Sequence, residues 1–140
     1  MPEIDHEIKI VSTPERVFAA LSTIDGVRGW HAPTATGIGT LGSQWLFSYA
    51  DGPEFGLEVT ASEPPSRVVW RCTRGPGDSV GTTATFTITV ADEGRSLVEL
   101  QHAGWPGTHG NFRKCNTLWG VLLHHLRDYA ETGDAAPAFE

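Results

Sequence analysis

Three polar side chains lie where the predicted strands and helices turn them inward, so each could exchange a proton with a bound molecule. His102 continues the inward face of the segment SLVELQH, His31 follows a short predicted helical turn, and Tyr49 alternates with inward aromatic residues. Imidazole and phenol groups act as general acids or bases within hydrogen-bond distance of a substrate. They also serve as purely structural partners in protein interiors. Both roles stay open for His31, Tyr49 and His102.

Other features of the sequence argue against catalysis. The chain has no G-x-S-x-G, H-E-x-x-H or S-x-x-K motif. Glu58 and Glu99 both have outward parity on their predicted strands, so no acidic residue is placed to orient an inward histidine. His124 and His125 are adjacent on a predicted helix and point about 100° apart, which is wrong for sharing a metal. His109 precedes that helix and could border a cavity entrance. We expect no metal and no cofactor.

The segment GIGTLG matches the dinucleotide-binding pattern G-x-G-x-x-G at Gly37, Gly39 and Gly42. That pattern binds a pyrophosphate only when it follows a strand and opens a helix. Here the strand-like segment QWLFSYA follows it instead. We therefore expect a tight turn or an irregular strand, and no nucleotide.

The composition predicts a single globular domain. Its 140 residues are 39% hydrophobic and 19% charged, and the formal net charge is −7. This balance, without a Lys/Arg cluster, argues against binding to nucleic acid or to an anionic membrane. No apolar run is long enough to span a bilayer, and MPEIDHEIKI does not resemble a signal peptide. Cys72 and Cys115 are isolated and predict free thiols, so we expect a cytoplasmic protein.

The chain begins with a predicted strand and two short helices. The segment IDHEIKIV alternates, with its isoleucines on one face. A helix follows, either capped by Thr13 with Pro14 at its first position or opened by a capping box of Ser12 and Glu15. A second helical turn ends near Trp30. Further strands are predicted at QWLFSYA, FGLEVTA, RVVWRC, TTATFTITV and SLVELQH.

The last predicted element is a long amphipathic helix from Asn111 to Thr132, ended by Gly133. It is the one predicted element long enough to cover the apolar face of an antiparallel sheet. The sequence thus predicts an α+β fold in a single domain over residues 1–133, followed by a loose C-terminal tail over residues 134–140.

Several segments in this order resemble the START/Bet v 1-like (SRPBCC) superfamily, and within it the bacterial branch related to the activator of Hsp90 ATPase. The segments are STPERVFAALST, Trp30 before Pro33, EPPSRVVWRC, SLVELQHAGW and CNTLWGVLLHHLRDYAETG. The resemblance covers nearly the whole chain. It implies a helix-grip fold, in which a curved antiparallel sheet wraps around the C-terminal helix and a hydrophobic cavity lies between them. Members include lipid and hormone carriers, and polyketide cyclases and aromatases.

This chain departs from the family pattern at one position. Relatives in this branch often carry a double tryptophan after the short helices, whereas here His31 follows Trp30. If this position lines the cavity, the cavity has gained a titratable group. The resemblance does not extend to Hsp90 activation, which in the family needs an additional domain that these 140 residues do not hold.

Two functions remain as hypotheses. The first is binding of a small hydrophobic or aromatic molecule without chemistry; the second is a polyketide cyclase- or dehydratase-like enzyme that uses His102 or His31 as general acid or base. The missing inward carboxylate favours binding. An interaction module with its outer sheet face as the binding surface has no positive support, although a homodimer is compatible with the sequence. The candidate ligand-binding residues are Trp30, His31, Trp45, Phe47, Tyr49, Trp70, Phe86, His102, Trp105, Phe112 and Trp119.

Overall fold

A six-stranded antiparallel sheet and one long helix form the body of the protein, which the computed structural model describes for residues 2–49 and 54–139. The strand order is β1-β6-β5-β4-β3-β2. This arrangement confirms the predicted α+β, helix-grip architecture. The strands are β1 (Ile4–Ile10), β2 (Gln44–Phe47), β3 (Phe55–Glu63), β4 (Arg67–Arg74), β5 (Thr83–Asp92) and β6 (Arg95–Ala103). The helices are α1 (Pro14–Ser22), α2 (Ile24–Trp30) and α3 (Asn111–Thr132).

Side-chain caps explain where the two short helices begin. The Thr13 hydroxyl accepts a hydrogen bond from the Arg16 amide at 3.2 Å, so the Thr13–Pro14 start is the one formed. The alternative capping box is absent, because the Ser12 hydroxyl has no hydrogen-bond partner. Thr23 ends α1 and caps α2 by accepting from the Gly26 amide at 3.1 Å.

The two short helices pack against the second half of α3. The indole Nε1 of Trp30 donates to the Ala20 carbonyl at 2.8 Å, which ties α2 to α1. Gly29 faces the ring of Tyr129 so closely that a Cβ at this position would collide with it. The absence of a side chain at Gly29 therefore lets α2 and α3 approach. Within the described part of the chain, no helix is both long and apolar enough to cross a membrane.

The alternation of apolar residues along the strands predicts the inner sheet face well. Inward residues of β5 and β6 such as Phe86, Val98 and Leu100 are almost fully buried. Val90 is an exception, with 75% of its surface exposed; it lies near the end of β5, just before the register of β5 and β6 shifts between Val90 and Asp92. The predicted strand QWLFSYA is shorter than expected. It ends at Phe47, and its last residue, Ala50, lies outside the described residues.

The segment after α3 differs from the loose tail that the sequence predicts. Residues 134–139 form no helix or strand, yet they are bound to the end of α2. The amides of Ala136, Ala138 and Phe139 donate to the carbonyls of residues 29, 30 and 31 at 2.9, 3.1 and 3.0 Å. Up to residue 139, this segment is therefore part of the folded domain.

The glycine run forms the loop between α2 and β2, as predicted. Gly37, Gly39 and Gly42 all have positive φ angles of 141°, 80° and 84°. A Cβ at Gly37 would lie 2.6 Å from the Gln44 carbonyl oxygen, and one at Gly39 would collide with the Ser22 carbonyl. A Cβ at Gly42 would meet no atom within 4 Å. Gly39 and Gly37 therefore let the loop pack against α1 and β2, respectively.

Gly39 and Gly42 both have a positive φ angle, but only at Gly39 would a Cβ collide with backbone, so they give a matched pair of substitutions. We expect Gly42→Ala to lower the free energy of unfolding by about 1 kcal/mol, the usual cost of a left-handed backbone for alanine. Gly39→Ala adds a steric clash with backbone to the same cost, so we expect a loss of about 3 kcal/mol or more. Urea denaturation of the two variants measures both values. Equal losses of the free energy of unfolding in the two variants would contradict the close packing of the loop at Gly39.

Candidate functional site

A cavity of about 440 Å³ lies between the inner face of the sheet and the first half of α3. The strands contribute side chains that alternate inward, and α3 contributes its apolar face. The loop between β4 and β5 and the segment after α3 complete the wall. The lining residues are His31, Phe47, Tyr49, Phe55, Leu57, Trp70, Cys72, Pro76, Ser79, Thr82, Ala84, His102, Asn111, Lys114, Cys115, Leu118, Trp119, Leu122 and Phe139.

Aromatic rings form much of this wall. Trp70 lies on β4, and its ring contacts Phe86 edge to face at a centroid distance of 4.9 Å. Phe86 also contacts Trp119 of α3 at 5.6 Å. Trp70 thus lines the cavity from the sheet and Trp119 lines it from the helix, with Phe86 behind them in the core. Such rings offer flat apolar surfaces to a ligand.

His102 lies in a chain of hydrogen bonds that uses both of its ring nitrogens. Trp119 Nε1, which can only donate, donates to His102 Nδ1 at 2.9 Å. The proton of His102 is therefore on Nε2, which donates to Thr82 Oγ1 at 2.8 Å. The Thr82 hydroxyl donates in turn to the Ser79 carbonyl at 2.6 Å. His102 is neutral in this arrangement, and burial lowers its pKa to about 4.

His31 is a buried histidine of the cavity wall. Its ring stacks on Phe47 at a centroid distance of 4.2 Å and contacts Trp30 edge to face at 5.2 Å. The Nδ1 atom is buried and has no hydrogen-bond partner. Burial in these apolar surroundings lowers the pKa of His31 to about 3, because the charged form loses its hydration. His31 therefore adds a neutral imidazole to the cavity.

The phenol and thiol groups of the cavity wall are also neutral near pH 7. Burial raises the pKa of Tyr49 well above its usual value and raises that of Cys115 to about 11. Burial likewise raises the pKa of Cys72. Both cysteines are free thiols. Lys114 is the charged residue on the wall, and no aspartate or glutamate is among the described lining residues.

The cavity brings together six of the residues that the sequence predicts for ligand binding. Tyr49 and His102 are both among them, but they are not hydrogen-bonded to each other in the described structure. The six are His31, Phe47, Tyr49, Trp70, His102 and Trp119.

Five of the predicted residues do not line the cavity. Trp30, Trp45, Phe86 and Trp105 are buried in the hydrophobic core, and Phe112 packs edge to face against Trp105 at 5.9 Å. None of the five lines the cavity. Strand parity indicates which face of the sheet a side chain occupies, but it does not distinguish a core position from a cavity position.

Several cavity residues are not among the predicted ones. Lys114 is a charged residue of the amphipathic helix α3, yet it lines the cavity. Ser79 and Thr82 lie in or next to the loop before β5, where alternation gives no signal. Phe139 carries one usable signal, since a large aromatic residue is unusual in a loose tail. His109 does not line the cavity, and no three His, Cys, Asp or Glu side chains form a metal-binding group within residues 2–49 and 54–139.

Comparisons with known proteins agree on the family of the chain. Residues 12–131 match the sequence model of the Activator of Hsp90 ATPase homolog 1-like protein family. The Aha1 dimer from Colwellia psychrerythraea is 32% identical, with a TM-score of 0.85 over 95% of this chain and 98% of that chain. No curated protein matches the chain.

Two more distant structures share the fold. A protein from Mesorhizobium loti is 20% identical, with a TM-score of 0.78 over 91% of this chain and 95% of that one. A putative protein in the dynemicin biosynthetic locus is also 20% identical, with a TM-score of 0.75 over 95% of this chain and 48% of that chain.

The lowered pKa values predict a loss of stability in acid. The unfolded chain takes up a proton at each histidine below about pH 6.5, whereas folded His31 stays neutral until about pH 3. The stabilising effect of neutral His31 is therefore complete above pH 6.5 and declines as the pH falls. By pH 4.5 we expect a loss of about 2–3 kcal/mol from His31.

The substitution His31→Phe removes this titration and keeps an aromatic ring against Phe47. We expect the free energy of unfolding of the variant to fall less between pH 7.5 and pH 4.5 than that of the unmodified protein. The control is His124→Phe, because His124 is exposed on α3. Chemical denaturation at several pH values measures how steeply the free energy of unfolding falls with pH. If it fell as steeply in His31→Phe as in the unmodified protein, the lowered pKa of His31 would be contradicted.

Proposed function

We propose that this chain, which belongs to the Activator of Hsp90 ATPase homolog 1-like family, binds a small uncharged hydrophobic or aromatic molecule without converting it. The observation that carries the proposal is the cavity of about 440 Å³ between the sheet and α3. Pockets for small organic molecules typically measure about 300–1,000 Å³ and are mainly apolar and aromatic. Trp70, Trp119 and Phe47 supply such surfaces here.

The charge state of the wall supports an uncharged ligand. His31, Tyr49, His102 and both cysteines are neutral near pH 7 for the reasons given above, and Lys114 is exposed to solvent. A charged group placed deep in this cavity would lose its hydration without gaining an ionic partner among the described residues. The interior therefore favours the neutral part of a molecule.

Binding is favoured over catalysis by the state of His102. A general base needs a free lone pair and a general acid needs a proton to give, but Trp119 occupies Nδ1 and Thr82 accepts the Nε2 proton. Among the described lining residues no carboxylate orients His31. The cyclase- or dehydratase-like alternative would therefore need a rearrangement of both histidines.

The free thiols Cys72 and Cys115 suit a reducing compartment such as the cytoplasm.

The cavity can be filled from inside to test the proposal. Ala84 lies on β5 beside Trp70, is 3% exposed and lines the cavity. We expect Ala84→Leu to weaken binding of the neutral dye N-phenyl-1-naphthylamine by about tenfold or more, because the added carbons occupy ligand space. Dye fluorescence on titration gives the dissociation constant.

The matched control is Ala103→Leu on β6, because Ala103 is next to His102 in sequence and does not line the cavity. We expect it to bind the dye as the unmodified protein does. Equal affinity of Ala84→Leu and Ala103→Leu, with both variants folded, would place the dye outside the cavity. If neither this dye nor alkylphenols bound to the unmodified protein, the proposed function would be wrong.

We also propose that the chain forms a homodimer. The support is the Colwellia relative, which is 32% identical over nearly the whole chain and was solved as a dimer. Light scattering at micromolar concentration should report twice the mass of one chain. A single-chain mass at every concentration up to the millimolar range would contradict this proposal.

A further inference from the structure

The segment after α3 lies across one side of the cavity. Its residue Phe139 lines the cavity and is half-buried. The Phe139 ring is 5.1 Å from that of Tyr49 and 5.5 Å from that of His31, measured between centroids. Phe139 therefore contacts two cavity residues that come from different parts of the chain.

Only a few contacts attach this segment to the domain within the described residues. Its backbone donates three hydrogen bonds to residues 29–31, and the Ala136 carbonyl interacts with His125 Nδ1 at 2.6 Å. Residues 134–136 are exposed, and residues 137–139 are half-buried. Segments with so little buried surface open locally at a low free-energy cost compared with global unfolding.

We propose that Phe139 is a specificity-determining residue, whose ring closes one side of the cavity and limits the size of the molecule that binds there. The proposal rests on the proposed binding function for its ligand, but the wall itself can be tested without one. A ligand that extends past the ring would collide with Phe139, and a smaller side chain at this position would extend the cavity toward solvent. The strands and helices need not move, because the segment is not part of them.

The first experiment measures access to the cavity without a ligand. Cys72 and Cys115 are the two cysteines of the chain, and both line the cavity. Their reaction with a thiol reagent such as dithionitrobenzoate under native conditions reports how open the wall is. We expect Phe139→Ala to accelerate the reaction by about tenfold. The matched control is Leu41→Ala, because Leu41 is 65% exposed and does not line the cavity.

The second experiment measures ligand size with a homologous series of 4-alkylphenols that compete with N-phenyl-1-naphthylamine. We expect Phe139→Ala to shift the best-binding alkyl chain to a greater length and Phe139→Trp to shift it to a shorter one. The Leu41→Ala control should keep the preference of the unmodified protein. These opposite shifts would not arise from a general loss of stability.

The outcomes separate the two proposals. If Phe139→Ala reacts with the thiol reagent at the rate of the unmodified protein, Phe139 does not close the cavity. The same conclusion follows if the Phe139 variants bind the alkylphenols with an unchanged preference for chain length. If Phe139→Ala reacts faster but neither the dye nor any alkylphenol binds to any of the proteins, Phe139 closes the cavity and the proposed binding function is wrong. Faster reaction together with opposite shifts in preference supports both.

Discussion

The inner face of a six-stranded sheet is too wide for one helix to cover. Strands lie about 4.8 Å apart, so six of them extend over about 24 Å, whereas a helix with its side chains is about 10–12 Å across. Because the sheet is wider than α3, other parts of the chain must cover the rest of its inner face. The short helices α1 and α2 cover one region with Trp30, large aromatic side chains fill a second, and the segment that carries Phe139 lies along a third. The space that remains beside Trp70 and Trp119 is the cavity.

Burial in this layer also fixes the chemistry of the cavity. The same removal from water lowers the pKa of His31 and His102 and raises those of Tyr49 and Cys115. His102 is further committed by its two hydrogen bonds, in which a protonated imidazole would point an N–H group at the N–H of Trp119. Recognition in such a site depends on shape and on neutral hydrogen bonds. In this arrangement His102 offers neither a free lone pair nor a free proton for acid–base catalysis.

Much of the fold could be predicted from the sequence, because alternation and amphipathic periodicity are local signals. The bounds of α3 agree with the prediction at both ends, Asn111 and Thr132, and the family resemblance is confirmed. The candidate site was predicted only in part. Parity placed Trp45 and Trp70 alike on the inner face, but their positions across the layer depend on long-range packing. The cavity roles of Thr82 and Phe139 depend on contacts with residues far away in sequence, which no local pattern reveals.

The proposed ligand of the cavity is a neutral apolar or aromatic molecule. Native mass spectrometry can detect such a ligand, first on the freshly purified protein and then after incubation with naphthalen-1-ol or with naphthalene-1-carboxylate. These two compounds match in ring size and differ in charge at pH 7. We expect a noncovalent adduct with the neutral compound, lost on denaturation, and little or none with the carboxylate. If no charge state carried an adduct, or if the protein preferred the carboxylate, the proposed uptake of neutral molecules would be wrong.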